Sequence, residues 1–139
     1  RFLYGNWLEP HHLSSMNHNK DSVSISAGYV DYRKARHDRE ITLRDESVII
    51  VDRVSGFNSK AILRWRLSST NWSIQKTNGY VIVSDGKNML CVTSNVAMVR
   101  AELVSGWKSL FYMQRSKIDV LEIEISNPGH FSTEYSWSV

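Results

Sequence analysis

The chain has 139 residues, of which 42% are apolar and 22% are charged, a balance that is typical of a folded globular domain and not of a disordered chain. Its formal net charge of +3 is too small to indicate a nucleic-acid-binding domain, and its single cysteine excludes an internal disulfide framework. No apolar run approaches the length of about 18 residues that a membrane helix needs, so the sequence predicts no membrane span.

The first 20 residues are irregular in pattern and rich in histidine. We expect residues 1–20 to be an irregular connection from an upstream domain or a loop over the sheet, and the chain to be a fragment of a larger protein. His11, His12 and His18 lie close together, and imidazoles can bind zinc or copper. Their spacing fits no standard site, and adjacent residues of a strand point to opposite sides. We therefore predict no metal site and no cofactor.

Residues 37–56, HDREITLRDESVIIVDRVSG, carry the clearest structural pattern. Apolar and polar residues alternate in the first half, and β-branched residues dominate the second half. Only the short connection Asp45–Glu46 separates the two halves. The stretch predicts a β-hairpin with one buried face and one solvated face.

The rest of the chain continues in short alternating runs. Asn78–Gly79 lies between two of them, and this dipeptide favours the type I′ turn of a hairpin, in which both residues have a positive φ. The other predicted strands are AILRWRLSS, MLCVTS, AMVRAEL, SLFYMQ and DVLEIEIS. Short strands at this spacing indicate an antiparallel sandwich or barrel. We predict an all-β fold, an antiparallel β-sandwich of about 8–10 strands joined by hairpins, over residues 21–139.

His37 is the titratable residue whose neighbours most suggest catalysis. It lies between Arg36 and Asp38, and a histidine beside a carboxylate can act as a general base near neutral pH. No partner nucleophile or second acid accompanies it, so a half-buried side chain bonded to the backbone or to a neighbouring acid is the preferred interpretation. We predict no catalytic residue in this fragment.

The tryptophans are candidates for either core packing or sugar stacking. Trp65 shares a strand face with two leucines and is predicted to lie in the core. Trp72, Trp107 and Trp137 lie next to turns, where exposure would allow contact with sugar rings. Packing remains the majority expectation for each of them.

Basic residues concentrate in two places. Arg33, Lys34 and Arg36 lie in the run RKARHDR, and Arg64 and Arg66 share the polar face of the AILRWRLSS strand. Such residues are usually only solvated, but arginine also binds carboxylates and sulfates with two parallel hydrogen bonds. We treat these five residues as candidate contacts for an acidic polysaccharide.

Three stretches together carry a family resemblance: AGYVDYRKARHDREITLRDESVIIVDRVSG, then LRWRLSS, then SGWKSLFY. In this order they resemble the C-terminal β region of the heparinase II/III-like polysaccharide lyases. The matching residues are Gly28–Tyr29, His37 with Arg39, Asp52–Arg53 with Gly56, Trp65 with Leu67, and the later GWKS. The likeness spans residues 27–135 in scattered pieces that keep their order.

The resemblance implies a parent enzyme with an (α/α) toroid followed by antiparallel β domains, which cleaves a uronic-acid-containing polysaccharide by β-elimination. The family's catalytic base, its carboxylate-neutralising residue and its metal ligands match no position of this chain. The implied role is a β-sandwich domain that supports the toroid and is not catalytic alone, in a periplasmic or secreted bacterial protein. Two alternatives stay open: a stand-alone carbohydrate-binding module and a structural β-domain of a surface protein.

Overall fold

A computed structural model describes residues 8–68 and 71–137. The described residues form strands and no helix, so none of them belongs to a helix that could cross a membrane. The described part of the chain contains twelve strands: β1 Glu9–Leu13, β2 Asn17–Asn19, β3 Ser22–Val30, β4 Arg36–Leu43, β5 Ser47–Ser55, β6 Ala61–Arg66, β7 Ser73–Thr77, β8 Tyr80–Ser84, β9 Asn88–Ser94, β10 Met98–Lys108, β11 Ser116–Ile125 and β12 Gly129–Trp137.

The strands form two antiparallel sheets. The larger sheet has the order β1-β3-β4-β5-β12-β9-β8-β7, with β2 also paired to β3, and the smaller sheet has the order β10-β11-β6. The predicted all-β antiparallel sandwich is confirmed, with more strands than the 8–10 expected.

The core lies between the smaller sheet and the β12-β9-β8 part of the larger sheet. Leu121 and Ile123 of β11 are fully buried, and Val83, Val92 and Phe131 belong to the same core cluster from the facing sheet. Because side chains alternate along a strand, the glutamates of β11 face outward from the sandwich. Among the described residues, none from β3 or β4 belongs to the core cluster, so these two strands lie beyond the area that the smaller sheet covers.

Both predicted hairpins are present, but the prediction that the apolar face of β4 is buried is wrong, because Ile41 and Leu43 are 37% and 49% exposed. Leu43 of β4 pairs with Val48 of β5 across the connection, where the Arg44 N–H donates to the Ser47 carbonyl at 2.9 Å. Thr77 pairs with Tyr80 around Asn78–Gly79. Gly79 has a φ of 100°, but Asn78 is not among the described non-glycine residues with a positive φ. The prediction of a type I′ turn is therefore wrong, although the hairpin itself is confirmed.

Two predictions about individual segments are wrong. Residues 9–13 and 17–19 are predicted to be irregular, but they form strands that pair with β3. All their side chains are exposed. Because neither face is buried, the sequence of these strands shows no alternation of apolar and polar residues. SLFYMQ was predicted as a strand, but residues 109–115 form the turn between β10 and β11. Its apolar residues resemble those of a buried strand, but residues 110–113 are exposed at that turn.

The tryptophans divide between core and surface. Trp65 is half-buried and packs against the core cluster, as predicted. Trp72 is buried, so exposure beside its turn is not observed. Trp137 is half-buried, whereas Trp107 is 47% exposed.

Candidate functional site

A cleft of about 440 Å³ opens where β4 and β5 of the larger sheet face β6 of the smaller sheet. The loop of residues 56–60 closes one side of it, and Tyr29, Phe57 and Phe131 contribute aromatic surface. We call it the β5–β6 cleft. Its charged and titratable lining residues are Asp31, Arg33, Arg36, His37, Arg39, Asp52, Lys60 and Arg64.

Asp52 lies at the bottom of the β5–β6 cleft and is only 1% exposed. Its Oδ1 accepts hydrogen bonds from His37 Nε2 at 2.5 Å and from Arg39 Nε at 2.6 Å, and its Oδ2 accepts one from Arg39 Nη2 at 3.0 Å. An ionised carboxylate only accepts hydrogen bonds, so Nε2 of His37 carries the hydrogen. Both oxygens of Asp52 are thus occupied by donors from β4.

The strand register explains why this carboxylate is buried. Asp52 lies two residues from Ile50 and from Val54, so the three side chains share the core-facing side of β5. Arg39 lies directly opposite Asp52 on β4. A charge on a buried face needs a charged and hydrogen-bonded partner, and the register supplies one.

The environment keeps Asp52 ionised. Burial by itself would raise the pKa of this carboxyl, but the hydrogen bonds from His37 and Arg39, together with the positive guanidinium, hold the pKa below its ordinary value. Asp52 and Arg39 are therefore both charged at neutral pH.

The network around Asp52 connects the two sheets. The Arg39 guanidinium lies 5.1 Å from the centre of the Trp65 ring on β6, and Trp65 Nε1 donates to Thr133 Oγ1 at 3.2 Å. The Tyr29 ring meets the His37 ring edge-on, with the ring centres 5.3 Å apart. These contacts link β3, β4, β6 and β12, which indicates a structural role for the network.

The preferred interpretation of His37 is confirmed in its geometry. The side chain is half-buried and is bonded to an acid. That acid is Asp52, fifteen residues away, and not the sequence neighbour Asp38. Asp38 instead accepts a hydrogen bond from Arg36 at 2.5 Å.

Three of the five candidate polysaccharide contacts line the cleft, namely Arg33, Arg36 and Arg64. Lys34 lies in the neighbouring turn with a φ of 68° and does not line the cleft. Arg66 points elsewhere and donates to the backbone carbonyl of Trp107. The fold therefore brings together only part of the predicted set.

The cations at the cleft rim have acidic partners. Arg64 Nε lies 2.6 Å from Glu122 and Lys60 Nζ lies 3.0 Å from Glu124, and hydrogen bonds from these cations lower the pKa of each glutamate. The side chains of Arg36 and Arg64 are 45% and 59% exposed. Exposed ion pairs of this kind contribute little to stability, so an incoming anion can replace the carboxylate partner at small cost.

The cleft is also lined by side chains that can contact a sugar but were not among the predicted contacts, such as Tyr29, Arg39, Phe57 and Lys60. Arg39 could have been found from Asp52, because a carboxylate at an apolar position of a strand requires a cation opposite it. Phe57 and Lys60 come from a loop without periodicity, and no local pattern of the sequence points to them.

Gly56 sets the shape of the cleft entrance. Its φ is 72°, and a Cβ at this position would lie 2.5 Å from the Lys34 carbonyl oxygen. We expect Gly56→Ala to lower the free energy of unfolding by about 2 kcal/mol, because it combines an unfavourable backbone conformation with a backbone clash.

Gly86→Ala is the matched control for Gly56→Ala. Gly86 has a φ of 91° with open space around it, so we expect it to cost only about 1 kcal/mol. Urea unfolding of both variants measures the difference. Equal losses would contradict the role assigned to the close approach between Gly56 and Lys34.

Among residues 8–68 and 71–137 no group of three or more histidine, cysteine or acidic side chains is arranged to hold a metal ion. His12 Nε2 is instead within 2.8 Å of Ser26 Oγ. The histidine-rich segment thus offers no ligand set in the described structure.

The chain is similar to known proteins in structure. No family model and no curated protein matches the chain. A solved heparinase III matches with a TM-score of 0.73 and 15% identity, over 89% of this chain and 20% of the other. The heparan sulfate lyase HepC from Pedobacter heparinus matches with a TM-score of 0.71 and 16% identity, over 92% of this chain and 22% of the other.

Because the identities are low, the likeness concerns the fold alone. The fold agrees with the resemblance to heparinase II/III-like lyases that the sequence predicts. The chain spans about one fifth of the length of the lyase structures that it matches. Residues on which the sequence resemblance depended gather at one place in the fold. Those in or beside the β5–β6 cleft are Tyr29, His37, Arg39, Asp52, Gly56 and Trp65.

Proposed function

We propose that this chain is the C-terminal β-sandwich domain of a polysaccharide lyase that cleaves a uronic-acid-containing polysaccharide by β-elimination. The observation that carries the proposal is the likeness of about nine tenths of the chain to one fifth of a heparinase III and of a heparan sulfate lyase. In this proposal the domain supports an upstream toroid of the same chain and is not catalytic alone. Its parent acts in the periplasm or outside the cell.

The β5–β6 cleft is the proposed contact with the acidic polysaccharide. Arg33, Arg36 and Arg64 converge on it from a turn, from β4 and from β6. Guanidinium groups match the planar arrangement of a carboxylate, and they bind sulfate equally well. Tyr29 and Phe57 add aromatic surface against which a sugar ring can pack. The cleft thus combines the two contact types that an acidic sugar requires.

We assign the chemistry of this proposal to another domain of the longer protein. β-Elimination needs a base at C5 of the uronate and a donor that neutralises its carboxylate. The His37 Nε2 atom is engaged by Asp52, and both oxygens of Asp52 are engaged by β4 donors. The base and the carboxylate-neutralising group of the resembled family match no position of this chain, so we propose that both groups come from the toroid.

A stand-alone carbohydrate-binding module is less well supported. Such a module would present an open tryptophan face to the sugar. The exposed Trp107 has Arg115 at 4.6 Å and Lys117 at 5.9 Å from its ring centre. Cations already occupy positions over the indole, which leaves the arginines of the β5–β6 cleft as the better contact.

Polysaccharide binding by the 139-residue chain is the direct test. We expect heparan sulfate to bind more weakly as salt is raised, because charge pairs dominate the contact. The double substitution Arg33→Glu with Arg64→Glu should weaken binding about tenfold or more. Lys20→Glu, an exposed charge reversal between β2 and β3, should leave it unchanged. Titration calorimetry at low and high salt measures all three.

Other outcomes would contradict the proposal in distinct ways. Binding that is unaffected by salt or by the arginine substitutions would remove the cleft from the contact. Equal binding of a neutral polysaccharide would favour a general carbohydrate-binding module. A rise in ultraviolet absorbance from unsaturated uronate, with heparan sulfate or alginate as substrate, would show that the fragment is catalytic by itself.

A further inference from the structure

The loop between β10 and β11, residues 109–115, presents apolar side chains to solvent. Leu110, Phe111, Tyr112 and Met113 follow one another and are 75%, 68%, 93% and 89% exposed. They lie at the end of the hairpin formed by the two longest described strands, which have 11 and 10 residues. Contiguous exposed apolar surface of this kind marks an interaction site. We call these four residues the apolar tip.

Local contacts hold the apolar tip in its outward orientation. The Ser109 hydroxyl donates to the Phe111 carbonyl at 2.8 Å, and the Gln114 N–H donates to the same carbonyl at 3.2 Å. Met113 has a φ of 61°, which is uncommon for a residue with a side chain. The backbone therefore turns tightly, and it leaves the large side chains without contacts to the core.

Positive charge surrounds the base of the apolar tip. Residues 107–118 contain Lys108, Arg115 and Lys117 but no acidic residue. The Arg115 guanidinium and the Lys117 ammonium both lie near the Trp107 ring. A tryptophan with adjacent basic residues below an apolar tip matches the layers of a lipid interface, where aromatic rings and cations lie at headgroup depth.

We propose that the apolar tip docks this domain on an anionic lipid surface. Leu110, Phe111 and Met113 enter the boundary between headgroups and acyl chains, while the basic residues at the base meet lipid phosphates. Insertion is shallow, because the turn's free N–H and C=O groups cannot be taken into hydrocarbon. This inference is independent of the proposed polysaccharide contact, because no residue of the apolar tip lines the β5–β6 cleft.

Lipid fits the apolar tip better than a sugar chain. A sugar ring packs on a flat aromatic face and needs polar groups around it, but Leu110 and Met113 offer flexible hydrocarbon. The Trp107 ring has cations close to it already. Polysaccharide binding at this loop is therefore the competing outcome of the test.

Co-sedimentation of the 139-residue chain with vesicles tests the proposal. We expect binding to an equimolar mixture of phosphatidylcholine and phosphatidylglycerol, and much weaker binding to phosphatidylcholine alone. Phe111→Ser with Met113→Ser should reduce the partition coefficient about tenfold or more. Leu13→Ser is the matched control, since Leu13 is 76% exposed on the edge strand of the other sheet; it should leave vesicle binding unchanged.

Two further measurements test the role of the basic residues and the depth to which Trp107 enters the lipid. Arg115→Glu with Lys117→Glu should abolish the preference for anionic vesicles, whereas Lys20→Glu should keep it. Brominated lipids should quench the fluorescence of the wild-type chain more than that of Trp107→Phe. Circular dichroism establishes that each variant is folded.

Absence of vesicle binding by the folded chain would overturn the proposal, as would an equal loss in Leu13→Ser. Tip substitutions that lower heparan sulfate binding but leave vesicle binding unchanged would overturn it in favour of a polysaccharide contact.

Discussion

Replacing Asp52 with asparagine is expected to lower the free energy of unfolding by about 3 kcal/mol. The substitution keeps the shape of the side chain but removes the charge that Arg39 and His37 face at the bottom of the β5–β6 cleft. Breaking a buried pair leaves the remaining cation without compensation. The loss lies at the lower end of the range for buried pairs, because the Arg39 side chain is 36% exposed and water screens it in part.

Asp45→Asn in the β4–β5 connection is the control for Asp52→Asn. Asp45 is exposed, so we expect a change below about 0.5 kcal/mol. The double variant Asp52→Asn with Arg39→Met should recover part of the loss, because it removes the uncompensated charge. Urea unfolding with constant slope measures each value. A loss below about 1 kcal/mol for Asp52→Asn would contradict the central role of the network.

The pH dependence of stability gives an independent readout for Asp52. Its pKa in the folded state is lower than the ordinary value of 3.8, so its stabilising contribution is complete above that pH. The contribution is lost as the pH falls below 3.8 through the lowered folded pKa. The wild-type chain should lose this share of stability on acidification, and Asp52→Asn should lack that component.

Replacing Phe131 with alanine is expected to lower the free energy of unfolding by about 4 kcal/mol. Phe131 is 1% exposed, lies opposite Asp52 on β12 and belongs to the core between the sheets. The cost combines lost transfer of the ring from water with the cavity that remains. Thermal and urea unfolding should agree on the size of the effect.

Phe111→Ala is the matched control for Phe131→Ala, because it removes the same ring from a position that is 68% exposed. We expect a change below about 0.5 kcal/mol. Phe131→Leu, which leaves a smaller cavity, should cost about 1 kcal/mol. Similar losses for the two phenylalanines would show that Phe131 does not support the sandwich in solution.

Together the two predictions separate the parts of the β5–β6 cleft. Its interior, with Asp52, Arg39 and Phe131, is expected to determine stability, because these groups join the sheets. Its rim, with Arg33 and Arg64, is expected to determine polysaccharide binding without a large effect on folding, because the rim is exposed.

Much of the fold could be predicted from period-two alternation. The core position of Trp65, beside Leu63 and Leu67, follows from one face of β6 being buried, which imposes a repeat that the sequence displays. The repeat of β4 does not report burial, because Ile41 and Leu43 are 37% and 49% exposed. β1 and β2 could not be found in this way, because both of their faces are exposed and backbone pairing leaves no pattern in the side chains.

The candidate site was only partly predictable. The sequence placed Arg33 and Arg36 in a basic run and Arg64 on the polar face of its strand. The pairing of β6 with β11 and its position across from β4 and β5 decide that these residues share a cleft. Arg66, two residues from Arg64 on the same strand, is turned away by its bond to the Trp107 carbonyl. Distances across sheets depend on long-range packing, which local composition does not encode.

By itself the sequence determined the class of the fold, its two-faced strands and the surplus of arginine near two of them. Only the tertiary structure decided that Asp52 is paired with His37 and Arg39, that Trp72 is buried, and that an apolar turn is left uncovered. The physical reason is that strand patterns report whether a face is buried. The partner that buries it, or leaves it exposed, is chosen by sheet packing between residues far apart in the chain.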